Sequence, residues 1–451
     1  MKMKFVLYAV VIVLVLSLPA CVKSAVPTPT SQFPYANTPA NQPAELLIAS
    51  TNGFVDSHGT YHLVGEINNN TSTVLSSIEL TIELKDASGN SLLKDENGNS
   101  SPNTKIYPLL YSLAPATSSP FDYTYDTVNG IPASYKVTIS NQRTGSANPA
   151  HLNSENIQLM DNGSGWFFLT GKLVNTSSNW VHINALAGAV LDDSNHLLST
   201  NWTSTFATEL APAGDTLGRD RTPFQISFPN PGGATQWRLY QDVNLAEDVT
   251  DHPMDVKVTN TYLDQYGLVH LVGWITNNSS QILDSMVIAG LYSTDGTVLD
   301  SSYSFVPIPV KSGAAAPFSI SSFASISSNP DQVALVSTAS AQADTWFTRP
   351  ISSEVVDLTA TGEIVQKDGP TWTFSGNVTN TSGKNLSGAT VVVMVMDAQN
   401  KLIAMEYTSI SPTGEAIGTG ETNIYSIPVY LDTNADTTGF TTTSVVIGDV
   451  K

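Results

Sequence analysis

One seven-residue pattern, G-x-[ILV]-x-N-[NT]-[ST], occurs four times in this chain. It starts at Gly65, Gly171, Gly273 and Gly376 and carries its asparagine at Asn69, Asn175, Asn277 and Asn380. The glycines lie 106, 102 and 103 residues apart. That interval is the length of one small domain, so the chain reads as four copies of one folding unit rather than one large enzyme domain.

The chain has 451 residues, room for roughly three or four domains. A unit of this size buries roughly 60–70% of its unfolded surface, enough to fold alone. Charged residues are only 13% of the chain, about half the usual share. The surface must then be built largely from Ser, Thr, Asn and Gly. The net charge is −20, from 39 acidic against 19 basic residues. This argues against nucleic acid as a partner, which needs a basic footprint, and disfavours electrostatic docking on anionic lipid.

Lys2 and Lys4 precede an apolar run of 14 residues, Phe5 to Leu18. That is the length of a signal-peptide core; a membrane span needs about 20. The run ends in Leu18-Pro19-Ala20-Cys21, which resembles the bacterial lipobox. The resemblance implies that residues 1–20 are a lipoprotein signal peptide. It also implies that Cys21 is acylated, becomes the mature N-terminus and holds the protein on the extracytoplasmic face of a membrane. Pro19 is an unusual occupant of its position. Cys21 is also the only cysteine, so the body has no disulfide, CxxC redox centre or cysteine zinc site. Residues 22–44 carry Pro27, Pro29, Pro34, Pro39 and Pro43 among Thr, Ser, Ala and Asn. With Cys21 they form a tether of polyproline character over 21–44, with a reach on the order of 70 Å at ~3.1 Å per residue.

Four units follow, 45–146, 147–249, 250–349 and 350–451. Strand-like runs alternate with Gly, Asn, Asp and Pro turns. The clearest strand, Ile78 to Lys85, alternates apolar and polar residues and has one wet face. Its counterpart Val391–Met396 is apolar on both faces, which fits either a domain contact or a more covered strand. Matching turns end at Gly89, Asn195, Gly296 and Asn400, each 23 or 24 residues past the motif glycine. Gly and Asn tolerate the left-handed backbone such turns need. A Pro-Phe pair follows in three units (Pro120-Phe121, Pro223-Phe224, Pro317-Phe318); the fourth has Tyr425-Ser-Ile-Pro428 instead. Closing strands are expected at 135–141, 237–243, 333–338 and 444–450.

On a strand, the residues two before the glycine, the glycine, two after and four after share one face. In the first copy these are Leu63, Gly65, Ile67 and Asn69. The glycine then points inward and leaves room for a bulky side chain of the facing sheet, and the asparagine satisfies turn amides where the strand leaves the core. The motif is thus read as structural. The pattern resembles the FxLYD-type extracytoplasmic domains of prokaryotic surface lipoproteins. The signature is best kept in Gly290-Leu-Tyr-Ser-Thr-Asp-Gly296 and is altered at Glu83-Leu-Lys-Asp86, Val190-Leu-Asp-Asp193 and Val395-Met-Asp397. The resemblance implies four tandem immunoglobulin-like β-sandwiches, a surface location and no catalytic residues.

No other constellation carries chemistry. The seven histidines (58, 62, 151, 182, 196, 252, 270) form no HExxH motif. His62 and His270 share one outward strand position. Asp95-Glu-Asn97-Gly-Asn99 resembles a calcium loop, but its glycine is misplaced and no glutamate ends it. No cofactor or metal is expected. Trp166, Trp237 and Trp372 are expected in cores. Trp274 is expected to face outward, and Trp180 and Trp202 lie in Ser/Asn-rich stretches. These last three fit either burial at domain joints or contact with a sugar or protein. The expectation is a non-enzymatic, lipid-anchored binding or spacer scaffold for a protein or polysaccharide. The alternative is a carbohydrate-binding accessory protein using Trp180, Trp202 or Trp274.

Overall fold

The motif strand is the central strand of a three-stranded antiparallel sheet in every repeat. The computed structural model describes residues 45–451 apart from 57–58, 164, 327–329 and 412–415; Cys21, His58, the apolar run and the tether lie outside them. The motif strands are Thr60–Asn69, Trp166–Val174, Val269–Asn277 and Thr371–Thr379. Each pairs with the strand before it (Leu46–Val55, Asn153–Asp161, Met254–Leu263, Ala360–Asp368). On its other edge lies a strand from late in the repeat (Ser118–Asp126, Arg221–Pro229, Ala315–Ile320, Thr422–Tyr430). We call this the motif sheet.

A second antiparallel sheet is built around Leu75–Lys85, Val181–Leu191, Met286–Tyr292 or Leu386–Met396. In the last three repeats this strand runs through the matching turn into Leu197–Thr203, Val298–Phe305 or Leu402–Ile410. We call this the hairpin sheet. Leu169, Leu173, Phe224 and Ile226 of one motif sheet share a buried cluster with Leu186, Val190 and Trp237 of the hairpin sheet. The fold is all-β, in small antiparallel sheets; helix among the described residues is confined to Thr127–Asn129 and Pro330–Val333.

Turn chemistry sets the hairpins. Gly89, Asn195, Gly296 and Asn400 all have positive φ, between 58° and 83°. Asp86 accepts from the amides of Ser88 and Asn90, both at 2.8 Å, and Asp192 and Asp397 act alike. Asp95 makes the same turn, accepting from Asn97 and Asn99 amides. The calcium-like stretch is therefore a turn that uses its own carboxylate as a cap.

The motif glycine faces inward, but the group it makes room for comes from the neighbouring strand, not from the facing sheet. Gly65 is paired with Phe121, Gly171 with Phe224, Gly273 with Phe318 and Gly376 with Tyr425. A Cβ on Gly65 would stand 2.2 Å from the Phe121 ring and 2.6 Å from the Ser50 carbonyl. The ring lies across the bare backbone, so glycine and aromatic fix each other's register. This pairing also corrects the expectation for the fourth repeat. Ile424-Tyr425 occupies the Pro-Phe place there, and Pro428 lies further along the strand.

The asparagine pins two loops together. Asn69 Nδ2 donates to the carbonyls of Thr73, Leu113 and Ala114, while Oδ1 accepts from the amide and hydroxyl of Thr71. Asn175, Asn277 and Asn380 repeat this against Ala211, Val310 and Ile417. All four are buried. The bonds to carbonyls in the loop before the aromatic-bearing strand go beyond the local turn role read from the motif.

Three further expectations change. The closing strand of the third repeat is Thr338–Ala343, because a short helix starting at Pro330 displaces it. His62 and His270 are buried, not outward into water. Each stacks on an aromatic ring of the adjacent strand, Phe54 or Tyr262, at 5.0 Å, and meets an aspartate, Asp56 at 3.3 Å or Asp264 at 2.9 Å. Trp166 is 38% exposed, at the start of its strand, whereas Trp237 and Trp372 are buried.

Gly65→Ala should destabilise the first repeat by about 1–3 kcal/mol, since both ring and backbone block the new methyl. Gly376→Ala should cost less, because its nearest obstacle is the Tyr425 hydroxyl at 2.8 Å, the far end of a side chain. Urea denaturation of the two variants checks the order; equal costs would contradict the crowding argument.

Candidate functional site

The outer faces of the sheets meet at three joints built to one plan. At each, the outer face of a motif sheet is covered by the hairpin sheet of the next repeat. Ala185, Ala187, Ala189 and Leu191 of the second repeat join the buried cluster of the first. Met286 and Ile288 of the third join that of the second. Buried side chains of the third and fourth form one continuous cluster. Val391–Met396 is thus apolar on both faces because one face serves the core and the other a joint.

The polar contacts recur as well. Asn52 Nδ2 donates to Leu197 O at 2.8 Å, Gln158 Nε2 to Val298 O at 2.9 Å and Thr259 Oγ1 to Leu402 O at 2.9 Å. Each acceptor lies two residues past the turn residue of its repeat. A part-buried ionic contact adds to the first joint. Glu66 accepts from Arg238 at 2.5 Å and from the Tyr240 hydroxyl at 3.2 Å. Burial weighs against the Arg238 cation, but neighbouring Tyr240 and Glu66 outweigh it and raise its pKa. Nearby, Asp242 accepts from the Ser112 amide and hydroxyl at 2.7 and 2.8 Å.

The two ends of the stack differ. The hairpin-sheet face of the first repeat presents Glu79, Thr81, Glu83 and Lys85, with Lys105 on Glu79 at 3.1 Å. The motif-sheet face of the last repeat presents Thr373, Ser375 and Asn377. The equivalent faces inside the stack are covered by the next repeat, whereas Ile364 and Ile424, paired with Ser375 and Asn377, stand 69% and 81% exposed on this last face.

Where the first three repeats converge, they enclose a cleft of about 480 Å³. Pro108, Leu109 and Tyr111 come from the first repeat. His182, Asn184, Trp202, Thr203, Ser204 and Phe206 come from the second, and Met286, Tyr303, Phe305 and Phe347 from the third. Several rings are open to solvent: Tyr111 is 71% exposed, Trp202 54% and Phe305 55%. The half-exposed Trp346 meets the His182 ring edge-on at 4.9 Å, and Phe305 meets Phe347 at 5.8 Å. No Asp, Glu, Lys or Arg lines the cleft.

The wall is held from behind by Asp344, which is fully buried. It accepts from the Thr208 amide at 2.5 Å and the Phe347 amide at 3.0 Å. Burial raises its pKa in spite of those two amides. Two other carboxyls, the buried Asp300 and the half-buried Glu406, are pushed up to about 7 by desolvation. They belong to the third and fourth repeats and neither lines the cleft.

Of the tryptophans singled out in the sequence, only Trp202 reaches this site. Trp180 is half-buried with the Arg219 guanidinium 5.3 Å from its ring. Trp274 is half-buried against the cluster of the last two repeats. Sequence reasoning missed Tyr111, Tyr303, Phe305 and Trp346. One signal was available: Trp202, Tyr303 and Tyr407 each lie seven residues after the turn residues Asn195, Gly296 and Asn400.

No protein-family model and no curated protein matches the chain. Solved structures do match, at low similarity. Red sea bream transglutaminase is 10% identical over 44% of this chain and 31% of that one, with a TM-score of 0.16. Escherichia coli alpha-2-macroglobulin activated by porcine elastase is 10% identical over 90% of this chain and 44% of its own, with a TM-score of 0.13. A beta-glucuronidase from glycoside hydrolase family 2 is 9% identical over 75% of this chain and 30% of its own, with a TM-score of 0.11. The chain spans less than half the length of each, and likeness at this level carries no argument.

Asp344→Ala should cost about 1–3 kcal/mol, because it leaves two buried amides short of an acceptor. The folded pKa lies above the unfolded 3.8, so the wild-type contribution is complete below that value and is lost as pH rises through the folded pKa. Asp344→Asn keeps one acceptor and removes the titration, so its stability should vary less with pH. Thermal unfolding of both variants across pH 4–8 checks this; parallel wild-type and Asn profiles would contradict it.

Proposed function

We propose that this protein is a non-enzymatic, lipid-anchored surface scaffold of four immunoglobulin-like β-sandwiches of the FxLYD type. Residues 1–20 act as its signal peptide, Cys21 carries the acyl chains and the prolines of 21–44 form the tether. Each buried CH₂ contributes ~0.8 kcal/mol, so two or three acyl chains hold stably where one does not. The tether keeps the first sandwich clear of the membrane, and the stack presents its surface to an envelope partner, protein or polysaccharide.

The observation that carries the reading is the recurring joint. A motif-sheet face is covered by the next hairpin-sheet face three times over. Independent beads on flexible linkers would leave those faces polar throughout. Shared apolar faces favour a stack that moves and unfolds as a coupled unit, which suits a spacer.

Ile288→Asp places an unpaired charge in the second joint and should destabilise it by on the order of 3 kcal/mol or more. Calorimetry should then resolve separate transitions. Thr81→Asp, at the corresponding place on the free end, should change little. If both variants behave alike, the joints carry no coupling and the spacer reading fails. Anchoring is tested separately: Cys21→Ser should move the protein from the membrane to the soluble fraction of cells, and unchanged membrane association would refute the acyl anchor.

A further inference from the structure

We infer that the cleft between the first three repeats binds a neutral oligosaccharide segment of a polysaccharide. The inference rests on the scaffold reading only in that the stack assembles the cleft, and it names the ligand class of that surface.

Three observations converge. First, the cleft gathers open rings from separate repeats: Tyr111 from the first, Trp202 from the second, Tyr303 and Phe305 from the third. An exposed apolar patch of this kind is costly unless something covers it. Its volume, about 480 Å³, falls within the ~300–1,000 Å³ range of small-ligand sites. Second, no Asp, Glu, Lys or Arg lines the cleft although the chain carries a net charge of −20, and its one imidazole, His182, already faces Glu209 at 3.6 Å. A charged ligand would find no counter-ion there, so a neutral one is favoured. Third, the polar lining includes groups that both donate and accept, the hydroxyls of Ser204, Tyr111 and Tyr303 and the amide of Asn184, whose Nδ2 also donates to Asp242 at 3.0 Å. Sugar hydroxyls do both, and the flat C–H faces of a pyranose ring stack on aromatic rings. A proline-rich peptide offers its backbone mainly as acceptor, so it makes less use of these groups.

The repeat supports a polymer rather than a single sugar. Trp202, Tyr303 and Tyr407 occupy the same place in three successive repeats, each at the edge of a joint, and all are open to solvent. A chain-like ligand starting in the cleft would meet a further ring at the next joint.

The test uses the protein from residue 22 onward and intrinsic tryptophan fluorescence. The probes are β-1,4-linked hexasaccharides of glucose, xylose and mannose, with polygalacturonate and a poly-L-proline peptide for comparison. At least one neutral hexasaccharide should bind and shift the emission. Trp202→Ala should weaken that binding at least tenfold, and Trp202→Phe, which keeps a ring, should weaken it less. Trp166→Ala, an exposed ring away from the cleft, should leave it unchanged. Because Trp202→Ala could act through folding, Tyr303→Ala is measured alongside by calorimetric titration, with circular dichroism on every variant. Tight binding of poly-L-proline or polygalacturonate in place of the neutral sugars would overturn the inference. So would no binding of any neutral hexasaccharide, or binding that survives both cleft variants. Such a failure leaves the joint-coupling result untouched, so the two readings are separable.

Discussion

The cross-strand pair of a bare glycine and an aromatic ring is the contact on which the rest of this structure depends. Phe121 lies over Gly65, Phe224 over Gly171, Phe318 over Gly273 and Tyr425 over Gly376. Shifting the pairing by one residue would turn every side chain of the strand to the opposite face. By fixing that register, the pair decides which residues look into the core and which look out. The outward residues in turn decide what can cover the sheet. Val64, Thr170 and Val272 lie one place before the glycine in the first three repeats and are buried at joints; Ser375 stands there in the last. The asparagine acts with the pair, tying the end of the motif strand to the loop before the aromatic one.

Cohesion between repeats reuses one geometry with different chemistry. The first joint combines small alanines with a part-buried Glu66–Arg238–Tyr240 contact. The second uses Met286 and Ile288, and Lys172 sits 4.7 Å over the Tyr292 ring. In the third, Val391 to Val395 are all buried and the Tyr262 hydroxyl reaches Tyr430 O at 2.9 Å. The constant element is a side chain of the first strand donating to the carbonyl two residues past the hairpin turn. A side-chain donor that satisfies a strand carbonyl orients the joint, while apolar burial supplies the larger share of its energy.

Much of the fold was legible in particular residues. Glycine and asparagine at the turn positions adopt the positive φ expected of them, and the alternation of Ile78 to Lys85 places one face in water. The closing strand of the third repeat was misplaced because Pro330 begins a helical turn that hydrophobic pattern alone does not reveal. His62 and His270 were assigned to the correct strand face. That face is nevertheless dry, because an aromatic ring and an aspartate close over each ring. The periodic aromatic at Trp202, Tyr303 and Tyr407 was present in the sequence as a fixed offset. Its meaning was hidden, since exposure depends on the neighbour rather than on the strand.

By itself, then, the sequence determined the repeat, the strands, the hairpin turns and the inward face of the motif, because these follow from local backbone preference and from the two-residue period of a strand. Tertiary structure decided the partner of each outer face. Whether Val392 is an exposed liability or a joint contact, and whether Trp202 stands alone or beside Tyr111 and Tyr303, depends on residues about 100 positions away. No local preference encodes such distances; they are fixed when apolar faces of successive repeats leave water together. The cleft is the clearest case, since it takes three repeats to make it and none contains it alone.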